Sequence, residues 1–462
     1  MYEGEMMRRR WKIIIIVFPL MAMLFILCIG PWPTYRSSFE GKRYYRRSLQ
    51  AIAKASCQLR FSSAPGRLQF GFGEAEITPP VGTPLAGYGS RKGAPSKGVH
   101  DKLYVKALAL SDGEDTIVIT GGDLLIVSRK LARAISEKVM AQRELKREDI
   151  LFSATHTHSG PGAWGHSIFE RLYAGDYDEE VFNLLVRSYV QAIITAYNSL
   201  QPGKVAIGRI EAEAFIRNRL IKGGVVDPEL NVLVVFDAMG RERVYLVSYS
   251  AHATTLGADN LLFSGDYPGY LQRYIEAKTS AKAIFLAGAV GSMSPKGEGS
   301  GFEKARHIGR TLAQKALQAT KEVEGSERVE IASMGTEVSL PPYQFRLTRR
   351  LRLSPLLTRW LLGEREAWLQ LVMIGRTLLL ATPCDFSGEL ALQVKGYAHE
   401  KGFQAIVTSF NGDYIGYVVP DRYYELDHYE TRLMSVFGPH NGSYFLALMR
   451  RMIDEVWMAF PP

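Results

Sequence analysis

Residues 150–162 read ILFSATHTHSGPG, and this stretch indicates both the type of fold and the place of a site. Its first residues form an apolar run typical of a buried strand, and the Gly-Pro-Gly sequence at 160–162 forces a tight turn after it. Because side chains alternate along an extended backbone, His156 and His158 are predicted to point to the same side. The carboxyl end of a strand is where α/β sheets usually bind ligands, so the pair predicts a functional site.

On both sides of this stretch, short apolar runs alternate with amphipathic segments, which is the pattern of an α/β protein. The predicted strands include 103–110, 116–120, 204–210, 231–236, 244–249, 283–288, 377–382 and 404–409. The predicted helices include 128–145, 179–200, 303–323, 387–401 and 443–457. Since there is no internal repeat and no second linker, we predict a single large domain over residues 68–462, with a mixed β-sheet flanked by helices.

The N-terminal apolar run at 13–30, IIIIVFPLMAMLFILCIG, carries no charge and is long enough to cross a bilayer as one helix. A basic segment precedes it, so a cleaved secretory signal is the alternative. The run is long for a signal, and no small-residue cleavage site follows closely, which favours an uncleaved membrane anchor within residues 1–35. A basic juxtamembrane connector is expected over residues 36–67.

The formal net charge of +9 is concentrated near this apolar run rather than spread over the chain. The flanking basic residues are Arg8, Arg9, Arg10, Lys12, Arg36, Lys42, Arg43, Arg46, Arg47, Lys54, Arg60 and Arg67. Such residues favour anionic head groups, and no zinc-finger, RRM or basic-zipper pattern is present. We therefore expect a membrane partner and no nucleic acid. Positive charge on both sides of the run leaves the orientation open.

Three further strand ends carry polar side chains. His252 follows the run at 244–249, and Asp385 follows the run at 377–382 where a helix begins. The sequence GAVGSMSPKG places Ser294 after the run at 283–288, and Gly291 would let the backbone approach a ligand closely. Taken singly, each of these has a structural explanation, such as a helix cap for Asp385. Together with the histidine pair, they predict one site.

The chemistry of this set suits a metal. The three cysteines, Cys28, Cys57 and Cys384, are too few and too widely spaced for a disulfide framework or a thiolate zinc site. Any metal must therefore use histidine, carboxylate or other oxygen ligands. Histidine with carboxylate oxygen suits zinc in a catalytic site, where one position stays open for water.

These motifs, in this order, resemble the neutral/alkaline non-lysosomal ceramidase family. The likeness begins with FGFGEAEITPPVGTPLAGYG at 70–89 and ends with VFGPHNG at 436–442, and HTHSGPG at 156–162 is its most specific part. The resemblance implies a zinc-dependent amidohydrolase that cleaves the N-acyl amide bond of ceramide or a related sphingolipid. It also implies that the chain holds the catalytic domain only, on the extracytoplasmic side of a single-pass membrane anchor.

The resemblance implies one zinc ion per chain with four ligands. The first histidine of the pair, His156, would bind the metal together with His252. Asp385 stands where the family has a glutamate that is one methylene longer, in PCDF rather than PGEF. Tyr417, in IGY where the family has THY, would be the fourth ligand.

The same resemblance assigns the reaction's other groups. His158 would act as the proton shuttle, a role that suits an imidazole. Arg219 and Tyr429 would steady the oxyanion. Ser294 would contact the polar head of the substrate beside Gly291.

Three alternatives remain open at this point. Ser292 and Lys296 replace the Asp and Asn that flank the family's serine, so the substrate could be another N-acylated amine or a peptide-like amide. The altered ligand positions also leave open a non-enzymatic, membrane-tethered binding module. The segment Phe345–Gly363, FRLTRRLRLSPLLTRWLLG, is either a surface piece packed on the body or an interfacial patch that enters lipid.

Overall fold

The computed structural model describes residues 2–59, 61, 64–363 and 365–460. Arg60 and residues 62–63 of the predicted connector lie outside these ranges. The described helices are α1 (Tyr2–Cys28), α2 (Arg43–Ser56), α3 (Arg129–Met140), α4 (Ile168–Ala174), α5 (Glu179–Asn198), α6 (Asp266–Thr279), α7 (Gly301–Ala319), α8 (Pro355–Leu362), α9 (Gly388–Glu400), α10 (Tyr429–Arg432) and α11 (Asn441–Ala459).

The strands of the first half are β1 (Trp32–Pro33), β2 (Gly66–Arg67), β3 (Gln69–Glu76), β4 (Gly98–Val99), β5 (Tyr104–Ser111), β6 (Thr116–Gly122), β7 (Ile150–Leu151), β8 (Gln201–Glu211), β9 (Ile216–Asn218) and β10 (Glu229–Asp237). Those of the second half are β11 (Glu242–Tyr249), β12 (Leu262–Phe263), β13 (Lys282–Ala287), β14 (Met293–Pro295), β15 (Arg328–Val329), β16 (Ile331–Ser339), β17 (Leu351–Arg352), β18 (Glu366–Ile374), β19 (Thr377–Thr382), β20 (Asp385–Phe386), β21 (Gln404–Ser409) and β22 (Tyr417–Val418).

Most of the long strands form two sheets that are stacked face to face. The larger sheet has the order β13-β11-β10-β8-β3-β5-β6-β7, and the smaller has the order β16-β18-β19-β21. One apolar layer joins them, with side chains such as Leu108, Leu246 and Leu286 meeting Val372 and Leu379. Because the other face of each sheet is also covered, strands such as β6 and β19 read as continuous apolar runs rather than as alternating ones.

Helices cover the outer face of each sheet, so the body has four layers. Helices α3 and α5 pack on β5 and β6, and α6 and α7 pack on β10, β11 and β13. Helices α2, α9 and α11 cover the smaller sheet. The predicted mixed α/β fold is confirmed. The expectation of one sheet was wrong, because a run that is buried on both faces does not reveal whether a helix or a second sheet covers it.

The expected connector contains the 14-residue helix α2. Its residues Ser48 and Ile52 are buried, and the Ser48 hydroxyl lies 2.8 Å from the hydroxyl of Tyr444 on α11. Helix α2 therefore packs on the body. Helix α1, in contrast, has an apolar span at Arg10–Cys28 in which no residue is buried. Its length and composition fit either a membrane span or a signal sequence.

The loops that carry the site follow parallel strands. Strand β11 runs parallel to β13, and β6 runs parallel to β7, but the antiparallel strands between the two pairs make them run in opposite directions along the larger sheet. The sheet curls, so that the carboxyl ends of β6 and β13 nevertheless meet at one edge. Two backbone hydrogen bonds connect the loops there: Ala287 N donates to Ala154 O at 3.0 Å, and Gly291 N donates to Phe386 O at 2.7 Å. The second bond joins this edge to the segment that follows β19.

Candidate active site

His156 lies at the centre of the site, and its ring is held on two sides. Its Nδ1 is 2.7 Å from the carbonyl oxygen of Leu125, and the ring stacks on Phe410 with centroids 4.1 Å apart. The predicted extended backbone was wrong at this residue, because β7 ends at Leu151 and His156 has a left-handed φ of 59°. This conformation is strained for a non-glycine residue, and such strain is concentrated at functional sites.

His252 faces His156 across the site. Its Nδ1 lies 3.2 Å from the carbonyl oxygen of Val290, and the two Nε2 atoms are 2.8 Å apart. Since each Nδ1 donates its proton to a carbonyl, each neutral ring has a lone pair on Nε2. Two facing lone pairs repel unless a proton or a cation stands between them. Burial, together with the charge of Arg219, lowers the pKa of His252 well below its ordinary value, which favours the neutral ligand form.

Asp385 supplies an oxygen to the same point. Its Oδ1 is buried and accepts no hydrogen bond from the described residues, and it lies 3.4 Å from Nε2 of His156 and 3.8 Å from Nε2 of His252. Its Oδ2 accepts a hydrogen bond of 2.7 Å from the hydroxyl of Tyr414. Two nitrogen lone pairs and one unpartnered carboxylate oxygen form a donor set that fits zinc. The hydrogen bonds to Nδ1 and Oδ2 are of the kind that orient metal ligands.

Tyr417 pairs with Asp385 in the register of β20 and β22. Its ring lies nearly parallel to that of His252, with centroids 6.5 Å apart, and its hydroxyl accepts a hydrogen bond of 2.9 Å from Nη2 of Arg219. Burial raises the pKa of Tyr417 well above its ordinary value, although Arg219 acts in the opposite direction. The structure therefore places this tyrosine beside the two histidines and Asp385.

Arg219 connects three parts of the site. Its guanidinium donates to the Gly291 carbonyl at 2.8 Å and to the Tyr417 hydroxyl, and it pairs with the Glu430 carboxylate at 3.0 Å. Tyr429 is adjacent to Glu430 and lies at the mouth. Its ring centroid is 6.3 Å from that of Tyr417, and 56% of the residue is exposed.

His158 lies beside the pair, and its two ring nitrogens are buried without a hydrogen-bond partner in the described part of the chain. The ring packs against Tyr88 at 4.7 Å, and a Cβ on Gly87 would come within 2.7 Å of it. Burial is the main cause that lowers the pKa of His158 well below its ordinary value, followed by the neighbouring His156 and then Arg91. One ring nitrogen of each of the three histidines lies within 4.8 Å of the others, so this group could also hold a metal.

Gly291 and Ser294 occupy different positions relative to this centre. A Cβ on Gly291 would lie 2.3 Å from the carbonyl oxygen of Asp385, so glycine is required there for two backbone segments to meet. Ser294 lies on β14 opposite Arg217, and among the described residues no hydrogen bond joins it to the histidines or to Asp385. Ser292 is buried, and its hydroxyl accepts a hydrogen bond from Gly388 N. Its own carbonyl accepts a hydrogen bond from the backbone N–H of Arg219.

Sequence reasoning missed Tyr414, Phe410 and Glu430. Tyr414 lies in the tyrosine-rich segment at 411–430, where composition alone suggests only packing or a pocket wall. Next to it, the buried carboxylate of Asp413 accepts hydrogen bonds from Arg129 at 2.7 Å and from the backbone N–H of Tyr414 at 2.8 Å. This ion pair fixes the backbone that carries Tyr414.

Comparison with known proteins relates this site to one family. The sequence model described as "Neutral/alkaline non-lysosomal ceramidase, N-terminal" matches residues 68–325. The neutral ceramidase of Pseudomonas aeruginosa is 29% identical over 321 residues, which cover 60% of this chain and 47% of that protein. The neutral ceramidase of Oryza sativa subsp. japonica is 25% identical over 264 residues, covering 53% of this chain and 33% of that one.

The fold is similar to that of a solved member of the same group. The crystal structure of neutral ceramidase from Pseudomonas aeruginosa has a TM-score of 0.74 at 21% identity, covering 87% of this chain and 76% of that one. The chain spans less than half the length of the curated relatives described above. His156, His158, Arg219, His252 and Ser294 fall within the matched residues 68–325, whereas Asp385 and Tyr417 lie beyond them.

Proposed function

Because this chain belongs to the neutral/alkaline non-lysosomal ceramidase family, we propose that it is a zinc-dependent amidohydrolase acting on ceramide or a related sphingolipid. The products would be a fatty acid and a long-chain base. One observation carries the proposal: Nε2 of His156, Nε2 of His252 and Oδ1 of Asp385 converge at 2.8–3.8 Å from one another, and no described residue donates a hydrogen bond that satisfies all three.

We propose that these three atoms, with the Tyr417 hydroxyl, hold one zinc ion. The chemistry that zinc supplies at such a site is Lewis-acid polarisation of a carbonyl and acidification of a water molecule. Aspartate is shorter than the family's glutamate, but its backbone is drawn close by Gly291, whose missing side chain allows an approach that any Cβ would block. This contact supports Asp385 as the carboxylate ligand.

The remaining groups suit the movement of a proton and the binding of an oxyanion. Among the described residues, the two ring nitrogens of His158 have no hydrogen-bond partner, and its lowered pKa keeps the ring neutral with one lone pair free. The same low pKa makes the protonated ring a good donor, which suits delivery of a proton to the leaving amine. Within the described residues, Arg219 uses Nε and Nη2 for the contacts to Gly291, Tyr417 and Glu430. Its Nη1 is left to donate to the oxyanion, with the Tyr429 hydroxyl on the open side.

The experiment combines metal content with hydrolysis of a fluorescent ceramide by the full chain in detergent. We expect about one zinc per chain, loss of hydrolysis with a chelator and recovery on adding zinc. Purified protein that holds no metal and cleaves no amide would overturn the proposal and favour a membrane-tethered binding module.

A second substrate class is another N-acylated amine or a peptide-like amide. It is supported by the position of Ser294, which makes no hydrogen bond to the centre among the described residues, and by Ser292 and Lys296 on either side of it. A panel of N-acyl substrates with equal acyl chains and different amines separates the two. Ceramide turnover well above that of the other amides supports the first class, and the reverse order supports the second.

We also propose that α1 is an uncleaved single-pass anchor with the body outside the cytoplasm. The proposal is supported by the apolar span at Arg10–Cys28, in which no residue is buried. Cys57 and Cys28, the last residue of α1, are exposed and Cys384 is buried, so a membrane-impermeant maleimide on intact cells is tested with a Cys57→Ser variant that isolates the signal of Cys57. If intact cells are labelled and the Cys57→Ser variant loses that labelling, the outside location is supported. If Cys57 is labelled only after lysis, the outside location is contradicted.

A further inference from the structure

The carboxyl end of α1 is fixed to the segment that begins α8. The Ser354 hydroxyl donates to the carbonyl oxygen of Leu27 at 2.7 Å, and the backbone N–H of Ser354 donates to the carbonyl oxygen of Ile29 at 2.9 Å. Directly after α1, Trp32 pairs with Arg352 in the two-stranded sheet of β1 and β17. The place where α1 leaves a bilayer therefore also fixes the position of α8.

Helix α8 turns large apolar side chains to the outside. Trp360 is 81% exposed, and Leu356 and Leu361 are also exposed, whereas Thr358 is buried against the body. Tryptophan and leucine on a short exposed helix cost free energy in water, and both are favoured at a bilayer interface.

Helix α4 adds a second apolar group from a distant part of the sequence. Ile168 is 78% exposed, and Phe169 and Leu172 are exposed beside it. The Phe169 ring stacks on Phe345 with centroids 6.1 Å apart, and the carbonyl oxygen of Phe345 accepts a hydrogen bond from the backbone N–H of Leu353. Both helices are thus connected to the segment Phe345–Leu353, α4 through the ring of Phe345 and α8 through the chain that follows Leu353. An exposed apolar surface of this kind marks an interaction site.

A cationic cavity of about 220 Å³ lies next to these helices. It is lined by Arg346, Thr348, Arg349, Leu426, Asp427 and Arg432. Arg432 pairs with Asp427 there at 2.8 Å, and Arg346 donates to the carbonyl oxygens of Tyr424 and Thr431. Three guanidinium groups thus face one carboxylate, and among the described residues Nε of Arg346 is buried without a hydrogen-bond partner. Arginine binds phosphate oxygens with planar, paired donors, so the cavity fits a phosphate head group.

The mouth of the candidate active site opens beside this surface. Arg432 lies on α10, which begins at Tyr429, and the exposed Leu433 follows it. The backbone N–H of Leu433 donates to the carbonyl oxygen of Tyr429 at 3.1 Å, and the Tyr429 ring contacts Tyr417. A lipid at this surface is therefore adjacent to the entrance.

We infer that α4, α8 and the arginine cavity form a docking surface for the bilayer that α1 spans, with the cavity taking an anionic phosphate head group. The joint between α1 and Ser354 places this surface at the membrane plane. Apolar side chains beside a cavity whose three arginines outnumber its one carboxylate complement lipid tails and phosphates. The inference rests on α1 as an anchor and not on the amidase reaction. The segment at 345–363 is then an interfacial patch rather than a plain surface piece.

The test uses the full chain in nanodiscs of phosphatidylcholine, alone or with phosphatidylserine at a ratio of about 7:3. Bromine on the lipid acyl chains quenches tryptophan that enters the bilayer, and the difference between the wild type and Trp360→Phe isolates the signal of Trp360. We expect Trp360 to be quenched, and more strongly when phosphatidylserine is present. If brominated lipid leaves the emission of Trp360 unchanged, the inference is overturned, and a protein partner or a second copy of the chain is favoured at this surface.

Charge reversal tests the cavity. Arg349→Glu with Arg432→Glu should weaken docking on the anionic discs by about fivefold for each arginine and should remove the difference between the two lipid mixtures. Arg187→Glu, an exposed reversal on α5, is the matched control and should change nothing. Equal thermal unfolding and equal zinc content show that the variants are folded. Two results contradict the head-group assignment. In one, the double reversal leaves the quenching on anionic discs intact. In the other, soluble glycerophosphate abolishes the quenching equally in the wild type and in the double variant.

Discussion

The Nε2 atoms of His156 and His252 face each other at 2.8 Å, and each ring is fixed by a carbonyl oxygen at Nδ1. Neither ring can turn its lone pair away without breaking that bond. The Asp385 Oδ1 beside them has no hydrogen-bond partner among the residues that the structure describes. Each of these three side chains can be removed by a single substitution, so the contribution of each to metal binding can be measured separately.

Removing one imidazole should abolish the metal site. We expect His156→Ala to lose zinc and to reduce ceramide hydrolysis by at least about 10³-fold, since metal stabilisation of the developing charge is worth several kcal/mol. Zinc is measured by atomic emission and hydrolysis by release of fluorescent fatty acid. His399→Ala, at an exposed position on α9, is the control and should behave like the wild type. Full activity in His156→Ala would remove this residue from the metal site.

Tyr414 should tune the affinity for zinc without being a ligand. Its hydroxyl holds Oδ2 of Asp385 at 2.7 Å, so Tyr414→Phe frees the carboxylate to rotate. Loss of such a supporting bond typically lowers metal affinity by about 10–100-fold, measured by competition with a chromophoric chelator. Tyr397→Phe removes a similar bond of 2.7 Å, to Asp454, away from the site. We expect that control to leave zinc affinity unchanged, and equal affinities in the two variants would count against the positioning role.

A methyl group at Gly291 should disturb the site through the backbone. The Cβ would lie 2.3 Å from the carbonyl oxygen of Asp385, so Gly291→Ala should destabilise the protein by about 1–3 kcal/mol and lower its zinc content. Gly396→Ala is the matched change, because among the described residues no atom outside the neighbouring backbone of α9 lies within 4 Å of the added Cβ. There we expect a gain of about 0.5–1 kcal/mol, measured by denaturant unfolding in detergent. If Gly291→Ala changed neither the stability nor the zinc content, the close approach of Gly291 to the Asp385 carbonyl would be contradicted.

Lys395 should make stability depend on pH at the alkaline end. Its ammonium is buried between Asp227 at 2.7 Å and Glu229 at 2.9 Å, and these charges raise its pKa although desolvation acts in the opposite direction. A raised folded-state pKa gives stability that is complete below the unfolded value of about 10.4 and is lost as pH rises through the folded value.

Lys395→Met should therefore cost about 3–5 kcal/mol at pH 7, because it leaves a buried carboxylate uncompensated. The difference from the wild type should be flat between about pH 6 and pH 9 and should shrink above about pH 10.4. Denaturant unfolding across this range measures it. Lys130→Met, at an exposed lysine on α3, should show no such dependence. A difference that grows with rising pH would have the wrong sign for this ion pair.

Metal removal should lower stability as well as activity. Without a cation, the facing lone pairs of His156 and His252 repel each other, and the carboxylate oxygen of Asp385 stays unsatisfied. Adding zinc at about 100 times its dissociation constant should stabilise the chelator-treated protein by about 2.7 kcal/mol. Calorimetry with and without zinc measures the shift. The His156→Ala variant should show none, and an equal shift in that variant would place the zinc elsewhere.

Much of the fold follows from local patterns. As the sequence predicts, the run at 103–110 forms β5 and the run at 377–382 forms β19. Ser128, the first residue of the helix predicted at 128–145, caps α3 by accepting a hydrogen bond from Leu131 N. These features depend on residues within a few positions of one another. The sequence also places the candidate histidines and Asp385 at strand ends, because apolar runs show where strands stop.

The details of the site depend on contacts between distant residues. The Nδ1 atoms of His156 and His252 reach Leu125 and Val290, which lie 31 and 38 positions away in the chain. The left-handed backbone at His156 and the support from Tyr414 have no local sequence signal. The role of Ser294 stays a prediction, since its strand places it opposite Arg217 rather than at the centre.

The sequence by itself determined the strands, the helices and the residue types that meet at the edge of the larger sheet. Only the tertiary structure decided that the strands form two stacked sheets, that two imidazole lone pairs and a carboxylate oxygen face one point, and that α8 is joined to the end of α1. The physical reason is that periodicity reports which face of an element is buried, whereas the partner on that face is chosen by packing across the whole chain.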